Sequence, residues 1–153
     1  MTEIRHLTVA AVKAIHAEVL AAHGGAGGIR DERLLQSAVA APQATSAGEP
    51  LISDPLEVAA AYLFYICRDH PFTDGNKRTA LAACLVFLDS NDLLPAEKLP
   101  LDAWEAFIVD VAAGKIDRDE TTARLHQLME PSRAKSRTEK RQKTTRSRPA
   151  PPP

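Results

Sequence analysis

The sequence predicts an all-α protein: a compact bundle of about six helices followed by a disordered basic tail. Three observations predict it. Aromatic residues make up only 5% of the chain while Ala and Leu are prominent, which suits helix-on-helix packing. Apolar residues recur at three- and four-residue spacing in successive segments. Each segment is bracketed by capping residues or by Gly and Pro. No sustained strand alternation runs through the chain, which leaves room only for a short hairpin around the glycine loop or residues 42–53.

The first helix spans Val9 to about His23. Thr8 caps it, Leu7 and Val12 can form a hydrophobic staple, and Val12, Ile15 and Val19 share one face. Gly24, Gly25, Gly27 and Gly28 end it in a pliant loop. Asp31 caps a second helix carrying Leu34, Leu35, Ala38 and Val39, and Pro42 stops it. Residues 42–53 are rich in Pro, Gly, Ser and Thr and read as a surface loop. Asp54-Pro55-Leu56-Glu57 opens a third helix with a cap, a proline at the first position and the acid of a capping box. From Val58 to about Cys67 that helix is apolar nearly all round, so it belongs at the centre of the bundle. A fourth helix, about Asn76 to Ser90, buries Leu81, Cys84, Leu85 and Leu88. A fifth, about Asp102 to Ala113, turns Trp104, Phe107, Ile108 and Val111 inward and ends at Gly114. Asp117 and Glu120 make a capping box for a sixth that ends near Met129.

At 153 residues the chain is long enough for one domain with a true core, and 44% hydrophobic content excludes a chain disordered throughout. The net charge of −1 conceals two blocks. Eight of the 19 basic residues and one of the 20 acidic ones fall in 131–153, so that segment carries +7 and the remainder −8. The division is a domain over 1–130 and a Lys/Arg/Pro-rich tail over 131–153 that cannot bury enough apolar surface to order itself. The tail is a solubilising extension. An RNA or ribosome contact is the weaker reading, because no aromatic residue is there to stack on bases. Cys67 and Cys84 lie in apolar helical stretches outside any CxxC pair, which points to buried thiols rather than a zinc site. The N-terminus lacks a signal-peptide pattern and no apolar run is long enough to span a bilayer, so the expectation is a cytoplasmic protein without membrane contact.

Chemistry concentrates in the loop His70-Pro71-Phe72-Thr73-Asp74-Gly75-Asn76-Lys77-Arg78, between two core helices. Gly75 and Asn76 fall where a helix begins, and free N–H groups with the positive end of the dipole form an anion site there. Gly75 allows a phosphate close to the backbone. Lys77 adds a point charge and Arg78 a bidentate fork. Asp74, an acid among cations, can hold Mg²⁺ bridging to phosphate oxygens. His70 titrates near neutrality and can take a proton from an attacking hydroxyl. Phe72 plugs into the core. The loop is not a P-loop, because Asn76 precedes the lysine and Arg78 follows it. Taken singly, His70 could merely end a helix, Asp74 cap one, and the cations be solvated. Their concentration in nine positions favours transfer of a nucleotide phosphate to a hydroxyl. His6, His16, His23 and His126 show no ligand spacing and read as ordinary surface or interfacial histidines. Asp31 reads as a cap, and the stretch 24–28 as a flap beside a target peptide rather than a dinucleotide site.

HPFTDGNKR resembles the signature of the Fic/Doc family, specifically its Doc (death-on-curing) branch. GGAGGIRDERLLQSAV resembles the family's N-terminal glycine-rich segment, and the likeness extends over roughly residues 1–128. The resemblance implies a small helical bundle with the active loop between two central helices. It implies His70 as catalytic base, Asp74 as Mg²⁺ ligand, and Gly75, Asn76, Lys77 and Arg78 as phosphate holders, with Asp74 and Arg78 counted in the catalytic set. AMP-transferring members typically read HPFx[D/E]GNGRxxR. Here Lys77 replaces the second motif glycine and Leu81 the second arginine. A lysine intrudes where phosphate would lie on bare backbone, and a leucine removes an anion clamp. The resemblance therefore implies a Doc-like toxin kinase that uses ATP and Mg²⁺ to phosphorylate a Thr or Ser of translation elongation factor Tu and block translation. The rivals are a Fic-type adenylyltransferase and a non-enzymatic ribosome- or RNA-binding protein. The inhibitory pattern [S/T]xxxE[G/N] fails twice, at Pro50 after Thr45–Glu49 and at Val58 after Ser53–Glu57. Restraint is then expected from a separate antitoxin chain, as in a type II toxin–antitoxin pair.

Overall fold

The computed structural model describes residues 3–94 and 100–130, so the tail from 131 lies outside the described residues. Helix α1 covers Val9–His23, α2 Glu32–Ala40, α3 Pro55–Asp69, α4 Asn76–Ser90, α5 Leu101–Ala112 and α6 Arg118–Met129. Two-residue strands β1 (Thr45–Ser46) and β2 (Glu49–Pro50) form an antiparallel hairpin, pairing Thr45 with Pro50 and Ser46 with Glu49. Its central residues Ala47 and Gly48 both have positive φ, as a tight two-residue turn requires. Over the described residues the observed fold is the expected all-α bundle, with six α-helices.

Helix α3 is the axis of the bundle: α2, α4, α5 and α6 all pack on it, and α1 closes the far side of α4. The cause is in its sequence. Val58 to Leu63 form a run of six fully buried residues, with Ile66 and Cys67 following. No polar face is left to turn to solvent over that run, so the helix must be surrounded. Burial pushes the Cys67 thiol up to about 11 and Cys84 up to about 12, so both remain protonated, apolar packing groups.

Helix ends follow their caps, with two exceptions. Thr8 accepts from Ala11 N at 3.0 Å, Asp31 from Leu34 N at 3.1 Å, and Asp117 with Glu120 completes a reciprocal capping box at 2.8 and 3.2 Å. At α3 the expected box does not close. Asp54 makes one 3.4 Å bond to Leu56 N, while Glu57 turns to Arg118 on α6 at 3.6 Å. A tertiary cation outcompetes the local N–H. Pro42 also does not end the helical path. The chain tightens into a 3₁₀ turn over Ala41–Gln43, which accommodates a residue with no N–H to donate.

The buried stripe of α4 is rotated from the expected one. Thr79, Ala80, Ala83, Cys84, Phe87 and Leu88 face inward, and Leu81 and Leu85 are only half-buried. Small residues point at α3 because the two central helices lie close, which pushes the leucines to the side facing α1 and α5. Helix α5 buries Trp104, Phe107, Ile108 and Val111 as expected. The N-terminal segment is tied down by Tyr62, whose hydroxyl accepts from Leu7 N at 3.1 Å and donates to His6 Nδ1 at 2.9 Å. Burial pushes that phenol up to about 12 and holds His6 below its ordinary value, which suits a neutral imidazole accepting the bond. No helix among the described residues is long and apolar enough to cross a membrane.

The caps make a comparison available. Asp117→Ala is expected to lower stability by about 1 kcal/mol, and Asp54→Ala by less, since only one long bond is lost. Urea unfolding measures both.

Candidate functional site

Residues 70–78 join the two central helices, and the loop is built from the inside outward. Phe72 is 1% exposed and stacks on the His16 ring, centroids 3.8 Å apart and planes 7° from parallel. Asn76 is buried, and its amide closes on Phe72 from both sides: Oδ1 accepts from Phe72 N and Nδ2 donates to Phe72 O, each at 2.9 Å. His16 Nε2 donates to Asp74 O at 2.8 Å. The loop thus hangs on a plugged aromatic, an amide clasp and a histidine bond. His16 was expected to be an ordinary surface or interfacial histidine; it is 6% exposed and supports the loop from beneath. Its spacing in α1 carried the signal, one residue after Ile15 on the inward face, but no ligand pattern revealed what it would meet.

Above this base the polar groups converge. His70, Thr73, Asp74, Gly75, Asn76, Lys77 and Arg78 line one cleft of about 400 Å³. That volume lies in the range of small-ligand sites. His70 ends α3 in the left-handed region, φ 50° and ψ 54°. Its Nδ1 donates to Cys67 O at 2.8 Å, which assigns the proton of the neutral ring to Nδ1 and leaves the lone pair on Nε2. Gly75 is the N-cap of α4 at φ 78°. A side chain there would be strained by the positive φ, although its Cβ would meet Leu20 only at ordinary contact distance. No side chain caps this helix, so the first-turn N–H groups of Asn76, Lys77 and Arg78 remain as donors at the cleft floor. The Gly75 N–H is different from the free donor expected, because Asp74 Oδ1 takes it at 2.8 Å. Only the backbone of Asn76 faces the cleft problem, since its side chain is spent on Phe72.

Lys77 and Arg78 are exposed, and among the described residues neither pairs with a carboxylate. Both also line a neighbouring groove of about 470 Å³, with Val19, His23, Leu81, Ala82, Leu85, Glu105, Ile108 and Val109. Two cations without a carboxylate partner among the described residues, beside an uncapped helix start, have the charge and the donors that an anion would need. Asp74 offers a carboxylate at its rim. Each oxygen accepts one backbone bond, Oδ1 from Gly75 and Oδ2 from Ala26 at 3.2 Å, which leaves lone pairs for a cation. No group of three or more ligating side chains occurs among the described residues. One fixed carboxylate fits an ion that takes its other oxygens from phosphate, the ordinary arrangement for Mg²⁺.

The glycine-rich segment lies against this loop. Thr73 N donates to Gly28 O at 3.1 Å, Arg30 N and Asp31 N both donate to Pro71 O, and Ile29 bridges Phe72. Gly25 has φ 122°, and a Cβ there would sit 2.8 Å from Asp74 Oδ2, so only glycine lets the segment approach the carboxylate. Sequence reasoning placed this stretch near the site without finding its partner.

The chain is similar to known proteins. The model of the Fic/DOC family matches residues 6–88, which runs from before α1 through the loop and most of α4. The chain is 40% identical to "Toxin Doc" of Mycolicibacterium smegmatis over 104 residues, covering 68% of this chain and 80% of that relative. It is 38% identical to "Protein kinase doc" of Escherichia phage P1 over 88 residues, covering 58% of this chain and 69% of that relative.

Asn76→Ala removes both bonds to Phe72 and leaves a buried N–H and C=O unpaired. It is expected to cost about 2 to 3 kcal/mol, read from urea unfolding.

Proposed function

The chain belongs to the Fic/DOC family, in its Doc branch, and on that premise we propose that it is a toxin kinase transferring the terminal phosphate of ATP to a protein hydroxyl. The observation that carries the reading is the pairing, in one cleft, of a histidine with its lone pair on Nε2 and an uncapped helix start flanked by two cations that pair with no carboxylate among the described residues.

The triphosphate lies against the first-turn N–H groups of α4, with Lys77 and Arg78 balancing its charge. Asp74 would hold Mg²⁺, which when bound draws charge from the phosphate oxygens. A Thr or Ser hydroxyl of the target enters beside His70. Its oxygen forms a bond to the γ-phosphorus as the bond from that phosphorus to the β–γ bridging oxygen breaks. The electron pair leaves with ADP, and the hydroxyl proton passes to His70 Nε2. Arg78 and the helix start steady the charge that grows on the transferred group, so most of the acceleration comes from positioning and electrostatics.

Leu81 and Lys77 favour terminal-phosphate transfer over AMP transfer. Leu81 lines the apolar groove beside Lys77 and Arg78 and offers nothing to an α-phosphate. The resemblance to Doc proteins supports elongation factor Tu as the target. The relative's printed description as a toxin supports a cognate antitoxin on a separate chain. Neither stretch near the inhibitory pattern is an internal substitute: Thr45–Glu49 forms the hairpin, and Glu57 is engaged by Arg118.

Labelled ATP tests the reading. Wild type incubated with elongation factor Tu is expected to pass label from the γ-phosphate and none from the α-phosphate, and induced expression in bacteria arrests growth. His70→Ala is expected to lose at least ~100-fold in transfer while binding ATP normally. Label arriving from the α-phosphate assigns the protein to AMP transfer instead. Arrest that survives His70→Ala but disappears on removal of residues 131–153 assigns the effect to the basic arm.

A further inference from the structure

Arg30 stands at the end of the glycine-rich segment, 40 residues before the backbone it grips. Its Nε donates to His70 O at 2.6 Å and its Nη2 to Asp69 O at 2.9 Å. The backbone N–H groups of Arg30 and Asp31 take the next carbonyl, Pro71 O, at 2.8 and 3.1 Å. Three consecutive carbonyls at the end of α3 are thus held by two residues of another segment. The Asp69 carbonyl is one that the helix end leaves without an intrahelical donor, the His70 and Pro71 carbonyls follow it directly, and the negative end of the dipole favours a cation there. The planar fork of an arginine spans two adjacent carbonyls at once, which a lysine cannot do.

The grip matters because of what His70 is doing. It occupies the left-handed region at φ 50° without being glycine. Pro71 bars it from continuing the right-handed helix, and the backbone preceding a proline ordinarily turns extended. An extended His70 would rotate its carbonyl off Arg30 and carry its Cβ, and the imidazole with it, in another direction. The histidine would also lose the 2.8 Å bond from Nδ1 to Cys67 O that assigns its tautomer. Arg30 does not line the cleft, so it is not placed to hold phosphate itself.

We infer that Arg30 is a positioning residue for the transfer step: by clamping the Asp69 and His70 carbonyls it holds His70 in the left-handed conformation that keeps its imidazole in the cleft. The inference rests on the reading of His70 as the base. It concerns orientation of the proton acceptor and not affinity for the nucleotide.

The test uses the full-length chain with ATP, Mg²⁺ and elongation factor Tu. Arg30→Ala is expected to lower kcat by roughly 10- to 100-fold with the KM for ATP unchanged. Arg30→Lys, which keeps the charge but bridges a single carbonyl, is expected to fall between the two. Methylguanidine at non-denaturing concentration is expected to restore part of the activity of Arg30→Ala and to leave wild type unaffected. NMR gives a readout independent of turnover: the His70 ring resonances move in Arg30→Ala while those of His126, paired with Asp54 across the bundle, stay in place. Unchanged kcat with unchanged His70 resonances overturns the inference. So does a raised KM for ATP at constant kcat, which would make Arg30 a nucleotide ligand. A wild type that transfers no phosphate overturns the reading of His70 and the role of Arg30 with it, whereas an active wild type matched by Arg30→Ala overturns only the latter.

Discussion

The reciprocal bond pair between the Asn76 amide and the backbone of Phe72 is the interaction on which the site depends. It closes a short loop between the two central helices and begins α4 at a defined place. Phe72 is thereby driven inward onto His16, and Gly75 is forced into the left-handed region. Asp74 is turned so that its carbonyl meets His16 and its carboxylate meets the rim. A buried amide with both ends satisfied contributes rigidity that a surface turn would lack. The polar groups above inherit it, and a site that works by positioning needs such a base.

The second organising feature is the separation of charge. The body of the chain is acidic, yet the cleft presents Lys77 and Arg78 with no carboxylate paired to them among the described residues. Asp74 sits beside them but gives its oxygens to the backbone N–H groups of Gly75 and Ala26. Elsewhere the charged groups neutralise one another: Glu57 with Arg118, Asp110 with Arg124, Glu32 with Lys13. Such solvent-accessible or half-buried pairs contribute little stability. Their absence at the cleft matters more, because an unneutralised pair of cations at a helix start is available to an incoming anion.

Strain is stored beside the site. His70 and Gly75 bracket the loop with positive φ, and only the second is glycine. Holding a histidine in that region costs on the order of 1 kcal/mol or more, and the clamp from the glycine-rich segment offsets it. That segment, exposed throughout residues 24–30, approaches close enough to touch Asp74 only because Gly25 lacks a side chain. Two stretches that are distant in sequence therefore act as one loop system.

The sequence by itself determined the helices, most of their caps, the central place of α3 and the identity of the loop that concentrates chemistry. These are local properties: periodicity, cap chemistry and a run of functional groups are written within a few residues of where they act. Only the tertiary structure decided which of those groups point outward. It turned the Asn76 side chain from the cleft to the core, placed His16 beneath the loop and Arg30 across the end of α3, drew Glu57 from its capping box to Arg118, and rotated Leu81 and Leu85 of α4 toward a groove. Each of these depends on a partner many residues away, and the bond that wins is decided by which groups packing brings within about 3 Å, a distance that no spacing along the chain encodes.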